Sequence, residues 1–166
     1  MTTAQEVAPY VVEIIEAGPA APGPVIYGQA YRLTGGSVNF AAQNTFYNTG
    51  LAVTQDAIAV GLGVVSGQIG LQNTSGLTRV VAIKVEIDVS DSNNVDFAFR
   101  LTKNGTAIPA TETRTHIAGT GHVNNIAISW LMTLASSDSV VLQAANLTGT
   151  GTLTIQRARI IAGQIA

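Results

Sequence analysis

Two histidines, His116 and His122, stand six residues apart across Gly119 and Gly121, and the nearest acid is Glu112. Imidazole binds transition metals, but a structural zinc site takes about four ligands, and the chain contains no cysteine. The pair reads better as part of a polar loop at one end of a domain. If copies clustered around a symmetry axis, protonation of these rings would make assembly pH-sensitive. A second group is oxygen-rich: Asp88, Asp91 and Asp96, with Ser90, Ser92, Asn93 and Asn94 between them. Calcium prefers such donors, yet the spacing departs from an EF-hand loop and the stretch is already explained as a hairpin between two strands. Nucleophilic catalysis needs a hydroxyl or thiol, a base and a carboxylate. The residue types are present, but no G-x-S-x-G elbow is, and the ten acids fall mostly on alternating solvent positions. The run Ile58-Ala59-Val60-Gly61-Leu62-Gly63-Val64-Val65 lacks the helix that a dinucleotide-binding turn requires, so its glycines mark a bulge or a close backbone approach. These readings point to a non-enzymatic protein with no cofactor and no metal.

What positions these residues is a series of alternating segments. Val81, Ile83, Val85, Ile87 and Val89 share one parity, with Lys84, Glu86 and Asp88 on the other. Val95, Phe97, Phe99 and Leu101 repeat the pattern and run into Lys103-Asn104-Gly105, a strong hairpin-turn signal. Ile126, Ile128, Trp130, Met132 and Leu134 repeat it again before Ser136-Ser137-Asp138-Ser139. A period of two defines strands with one buried face, so the domain is all-β. Strands are expected near 67–73, 77–90, 94–103, 106–109, 113–118, 123–135, 139–147 and 152–162. About eight strands with short turns make a two-sheet antiparallel sandwich, the jelly roll foremost. In the last strand Leu153 and Ile155 have one parity and Ala158, Ile160 and Ala162 the other. A bulge near Gln156, or burial on both faces, explains the switch. The parity of Trp130 puts it in the core rather than on a saccharide platform. The sequons at Asn73, Asn104 and Asn146 read as turns.

Of the 166 residues, 46% are hydrophobic and 11% charged, well below the ~25% charge of ordinary soluble domains. Mean hydropathy is +0.32. No apolar run reaches the ~18–20 residues of a membrane helix, and 5% aromatic content is too little for the girdles of a membrane barrel. The excess fits a core plus a large subunit interface. A net charge of −2 argues against nucleic acid as partner. Arg157 and Arg159, two apart on one strand face, suit a solvated face or an inter-subunit ion pair. The N-terminus has no signal-peptide pattern, which gives an expectation of synthesis in a cytoplasm.

Residues 1–36 read as an N-terminal arm and linker, and 37–166 as the sandwich domain. The arm carries an apolar patch at Val11, Val12, Ile14 and Ile15, then the run Ala17-Gly18-Pro19-Ala20-Ala21-Pro22-Gly23-Pro24, which no helix or inner strand tolerates. Short strands can return at Val25 to Tyr27 and Ala30 to Leu33. Tyr10, Tyr27, Tyr31 and Tyr47 lie in this half, where they can anchor it to a neighbour.

The order Gly67-Gln68-Ile69-Gly70-Leu71-Gln72-Asn73-Thr74-Ser75-Gly76, a long alternating strand, and then Leu101 to Ile108 resembles the C1q/tumour-necrosis-factor-like trimeric jelly roll of phage virion proteins. The Thr-rich stretch 111–120, the Trp130 strand, Leu134 to Leu142, Asn146 to Gly151 and a last strand Leu153 to Ile161 continue the likeness. The family turn is commonly L-x-x-G-D; here Ser137 stands before Asp138. The resemblance spans roughly residues 66–165. It implies a homotrimer, a place on the capsid surface of a virion, and a decoration or cement role in which the major capsid protein is the partner. On that reading Val11, Val12, Ile14, Ile15 and Tyr27 touch the capsid, while Ile155, Arg157, Arg159 and Ile161 form the trimer interface. The alternative is the receptor-binding tip of a tail fibre, recognising a host surface glycan with loops such as 111–122.

Overall fold

A computed structural model describes residues 25–165. In chain order the strands are β1 (Tyr27–Arg32), β2 (Gly36–Phe40), β3 (Tyr47–Asn48), β4 (Thr54–Gln55), β5 (Leu62–Val64), β6 (Gly70–Asn73) and β7 (Arg79–Ser90). They continue as β8 (Asn94–Lys103), β9 (Thr106–Ala107), β10 (Thr113–Ala118), β11 (Val123–Leu134), β12 (Ser139–Asn146) and β13 (Gly151–Gln164), with one 3-10 turn at Pro109–Thr111. The alternation seen in the sequence is the cause. In β7 the odd residues Val81 to Val89 are at most 2% exposed, while Ala82 and Lys84 remain open to solvent. Each such side chain contributes about 1.5–3 kcal/mol on burial.

All pairings are antiparallel and form two sheets. The front sheet runs β11-β7-β13-β1-β4, with β2 also on β13; the back sheet runs β10-β8-β12-β6-β5, with β3 on β12 and β9 on β8. Their inner faces meet in one core, in which Phe97, Phe99 and Leu101 of the back sheet oppose the Ile and Val rows of the front. This is an all-β, two-sheet antiparallel sandwich of jelly-roll type.

Three local features follow from the sequence. Asn104 and Gly105 have φ of 50° and 78°, as a two-residue hairpin between β8 and β9 requires. At Gly61 φ is +65°, and an added Cβ would lie 2.5 Å from Ile26 Cγ2, so that glycine combines a turn with a close approach. In β13, Ile155 pairs with Val89 and Arg157 with Asp88, leaving Gln156 as the extra residue of a bulge. The bulge, not two-sided burial, turns Ala158, Ile160 and Ala162 inward.

Residues 27–32, expected within the arm, form β1. It is paired from Tyr27↔Gly163 to Arg32↔Ala158 on one side and with β4 on the other. The alternation of Gly28 and Ala30 inward with Gln29 and Tyr31 outward lets the segment lie flat on β13.

Candidate functional site

The outward face of the front sheet changes character along its strands. At the end where the chain enters, Val80, Leu131 and Tyr27 are 48%, 61% and 44% exposed. Ile161 forms a ridge between two grooves. One, of about 690 Å³, is floored by Ala82, Ser129, Leu131 and Gly163; the other, of about 280 Å³, is bounded by Tyr27 and Ile58. Contiguous apolar exposure of this kind marks an interaction surface more often than scattered residues do.

Midway along the strands the face becomes ionic. Lys84 pairs with Glu86 at 2.6 Å, and Arg157 Nε donates to Asp88 Oδ2 at 2.7 Å. Asn125 Nδ2 donates to the other oxygen of Asp88 at 2.8 Å. Arg159 Nη2 donates to Gln29 Oε1 at 2.7 Å, and the Gln29 amide in turn donates to Asp56. These donors hold the acids ionised. Lys84 depresses Glu86, Asn125 and then Arg157 depress Asp88, and Gln29 depresses Asp56. Past the β13 bulge the lining changes again, to the hydroxyls of Ser90 and Thr154 and the amide of Gln156, with Val123, 58% exposed, beside them.

Around Arg100 the back sheet's outward face is closed over by its own side chains. Arg100 reaches across β12 so that its guanidinium stands 3.7 Å from the Phe46 ring centre, while Nη2 donates to Gln143 Oε1 at 3.0 Å. Gln143 Nε2 donates to Asn48 Oδ1 at 3.0 Å. The small outward residues Ala98 and Ala145 are fully buried there.

Of the residues singled out for contact, Val11, Val12, Ile14 and Ile15 lie outside the described residues. Tyr27, Arg157, Arg159 and Ile161 share the open front face. Ile155 does not join them: it is 0% exposed and packs in the protomer's own core, because it precedes the bulge. His116 and His122 do not converge. His116 Nδ1 bonds Asp96 Oδ1 at 2.7 Å on the back sheet, and His122 sits in the β10–β11 turn. The three aspartates likewise diverge, Asp88 to Arg157, Asp91 to Asn93 and Asp96 to His116. Trp130 packs against the core but stays partly open at its margin.

Two features were missed. Leu131 and Val80 are apolar residues on the solvent parity of their strands, a signal visible in the sequence. Asn73, read as a turn residue, is a fully buried hub. Its Nδ2 donates to the carbonyls of Leu77, Leu134 and Ala135 at 2.8, 3.0 and 3.1 Å, and its Oδ1 accepts from Ser75 N at 3.0 Å. Asn146, 2% exposed, similarly accepts the amides of Thr148 and Gly149.

No family model matches the chain, and no curated protein matches its sequence. Among solved structures it is similar to the PRD1 vertex protein P5, at 14% identity and a TM-score of 0.57, over 87% of this chain and 100% of that one. It is also similar to the Eiger TNF of S. frugiperda, at 13% identity and a TM-score of 0.53, over 86% of this chain and 94% of that one. At such identities the likeness is one of fold: the chain has a TNF-like jelly roll.

Proposed function

We propose that this chain is a non-enzymatic structural protein of a phage virion, a homotrimeric decoration or cement protein that binds the major capsid protein. The observation that carries the reading is the open front face, apolar at the end near Val25 and ionic midway along its strands. Its likeness in fold to a vertex protein supports a virion role. Two copies facing each other head-to-tail would set Leu131 and Val80 of one against the polar end of the other. Copies related by an axis parallel to the strands instead place apolar end beside apolar end and ionic zone beside ionic zone. Cyclic assembly therefore suits this surface.

Val25, where the described chain begins, lies at the apolar end. On this proposal the segment with Val11, Val12, Ile14 and Ile15 would lie across capsid subunits and tie neighbours together. Three arms per particle turn weak contacts into firm attachment.

Light scattering coupled to size exclusion tests the assembly. A mass of three times 17.1 kDa is expected, and a monodisperse monomer overturns the interface. Co-sedimentation with capsids tests the arm: deletion of residues 1–24 should abolish attachment and leave the trimer folded. Unchanged attachment overturns that role.

A further inference from the structure

At the end of the front sheet away from Val25, three segments far apart in sequence enclose a cleft of about 460 Å³. They are the end of β7 with the turn after it, the β10–β11 turn, and the start of β13. Small-molecule sites commonly have volumes of about 300–1,000 Å³. The β13 bulge aims Gln156 into the wall, where its Nε2 donates to Ser90 Oγ at 2.8 Å and its Oε1 stays free to accept. Thr120 Oγ1 donates to the Ser92 carbonyl at 3.2 Å and ties the two turns together. Asp91 is 9% exposed, and both of its bonds, from Asn93 N at 2.8 Å and Asn93 Nδ2 at 3.2 Å, fall on Oδ1.

Five polar functions therefore meet the cleft without a partner among the described residues: the Ser92 and Thr154 hydroxyls, Gln156 Oε1, Asp91 Oδ2 and the His122 ring. The set mixes donors with acceptors. Its one formal charge is a carboxylate, and no lysine or arginine lines the walls, so phosphate, sulfate and carboxylate ligands are repelled. A ligand that donates and accepts hydrogen bonds without carrying negative charge matches this lining. We propose that the cleft binds a neutral saccharide. No phenylalanine, tyrosine or tryptophan lines it, so hydroxyl hydrogen bonds hold the sugar and dissociation constants fall on the order of 1–10 mM per site. The cleft lies within one protomer. Only its orientation away from the capsid, and its repetition for avidity, rest on the function proposed above.

Amide spectra of 15N-, 2H-labelled protein test it, with glucose, galactose, mannose and N-acetylglucosamine as probes and N-acetylneuraminic acid as the anionic comparator. At least one neutral sugar is expected to shift the amides of residues 90–92, 120–123 and 154–156 saturably, and about tenfold more tightly than the acid. Thr154→Val and Ser92→Ala each remove one hydroxyl from the wall. Each should weaken binding by about tenfold while the rest of the spectrum stays unchanged. No saturable shift with any neutral sugar, shifts that map away from the cleft, equal or tighter binding of the acid, or indifference to both variants each overturns the proposal. A trisaccharide of the bound sugar separates the sources. Tighter binding than the monosaccharide identifies a surface glycan, equal binding a free sugar, and either upholds the site. Titrating the Leu131→Asp variant beside the natural chain reads the cleft with and without self-association, so failure of the site is distinct from failure of the assembly.

Discussion

The two outward faces of this sandwich handle the same problem in opposite ways. Behind the back sheet, Arg100 lies over Phe46 and bonds Gln143, and small alanines sit sealed beneath. Polar groups there find partners within the chain. On the front sheet the ionic zone is also saturated internally, but the apolar end leaves Tyr27, Val80 and Leu131 open to water. A face that satisfies itself gains nothing from a neighbour, whereas a face that ends in exposed Leu and Val gains by being covered. The difference teaches that the two faces differ in what they leave exposed: both sheets share the core that holds the fold, and on the function proposed above the front face is the one that makes contacts.

Substitutions can break that division. The largest effect is expected at Asn73, whose loss strands several buried carbonyls at the junction of β6 with the β11–β12 turn. Asn73→Ala should lower unfolding free energy by about 3 kcal/mol, read from urea denaturation. Leu131→Asp on the front face should leave the unfolding of the isolated protomer within about 0.5 kcal/mol. It should weaken self-association by about 30-fold or more, seen as loss of the trimer mass at low concentration. If Leu131→Asp unfolds the protomer instead, the two faces are not separable. Arg100→Ala should cost about 1 kcal/mol and leave association unchanged.

Smaller effects sharpen the picture at the β11–β12 turn. Ser137 has φ of 68°, a left-handed conformation that suits the glycine standing there in the resembled family. Ser137→Gly should stabilise by up to about 1 kcal/mol in thermal unfolding. Next to it, Asp138 accepts from Lys103 Nζ at 2.8 Å, from Asn104 Nδ2 at 2.6 Å and from Ala135 N at 2.8 Å. These donors, Lys103 foremost, lower its pKa from 3.8 to about 2. A depressed folded value means the carboxylate stabilises fully above about pH 4 and loses that contribution as pH falls through about 2. Unfolding midpoints measured between pH 5 and 2 should therefore fall less steeply for Asp138→Asn than for the natural chain.

Much of this was legible beforehand. Strands 94–103, 113–118 and 123–134 fall where alternation placed them, because a half-buried strand writes its period directly into neighbouring residues. The Asn104-Gly105 turn was readable for the same local reason. The switch of parity at Gln156 was visible, but its cause was not: a bulge and two-sided burial look alike in one strand until its partner β7 is known. The short strands β3, β4 and β5 are defined by what they pair with and carry too few residues for a period. Spacing put Arg157 and Arg159 on one strand face, and the structure places Ile161 on that face with them, while Ile155 faces the core because it precedes the bulge.

The sequence by itself determined that the chain is all-β, where the long strands run, and which residues turn at Asn104 and Ser137. Those properties depend on residues within a few positions of one another. Only the tertiary structure decided that β1 lies on β13, so that Tyr27 faces Gly163, and that Ser90, Thr120 and Gln156 border one cleft. It also decided that Arg100 and Phe46 cover the middle of one outward face while Leu131 and Val80 stay open on the other. Such arrangements depend on contacts between segments separated by most of the chain, and a period of two says which side a residue faces but not what it faces.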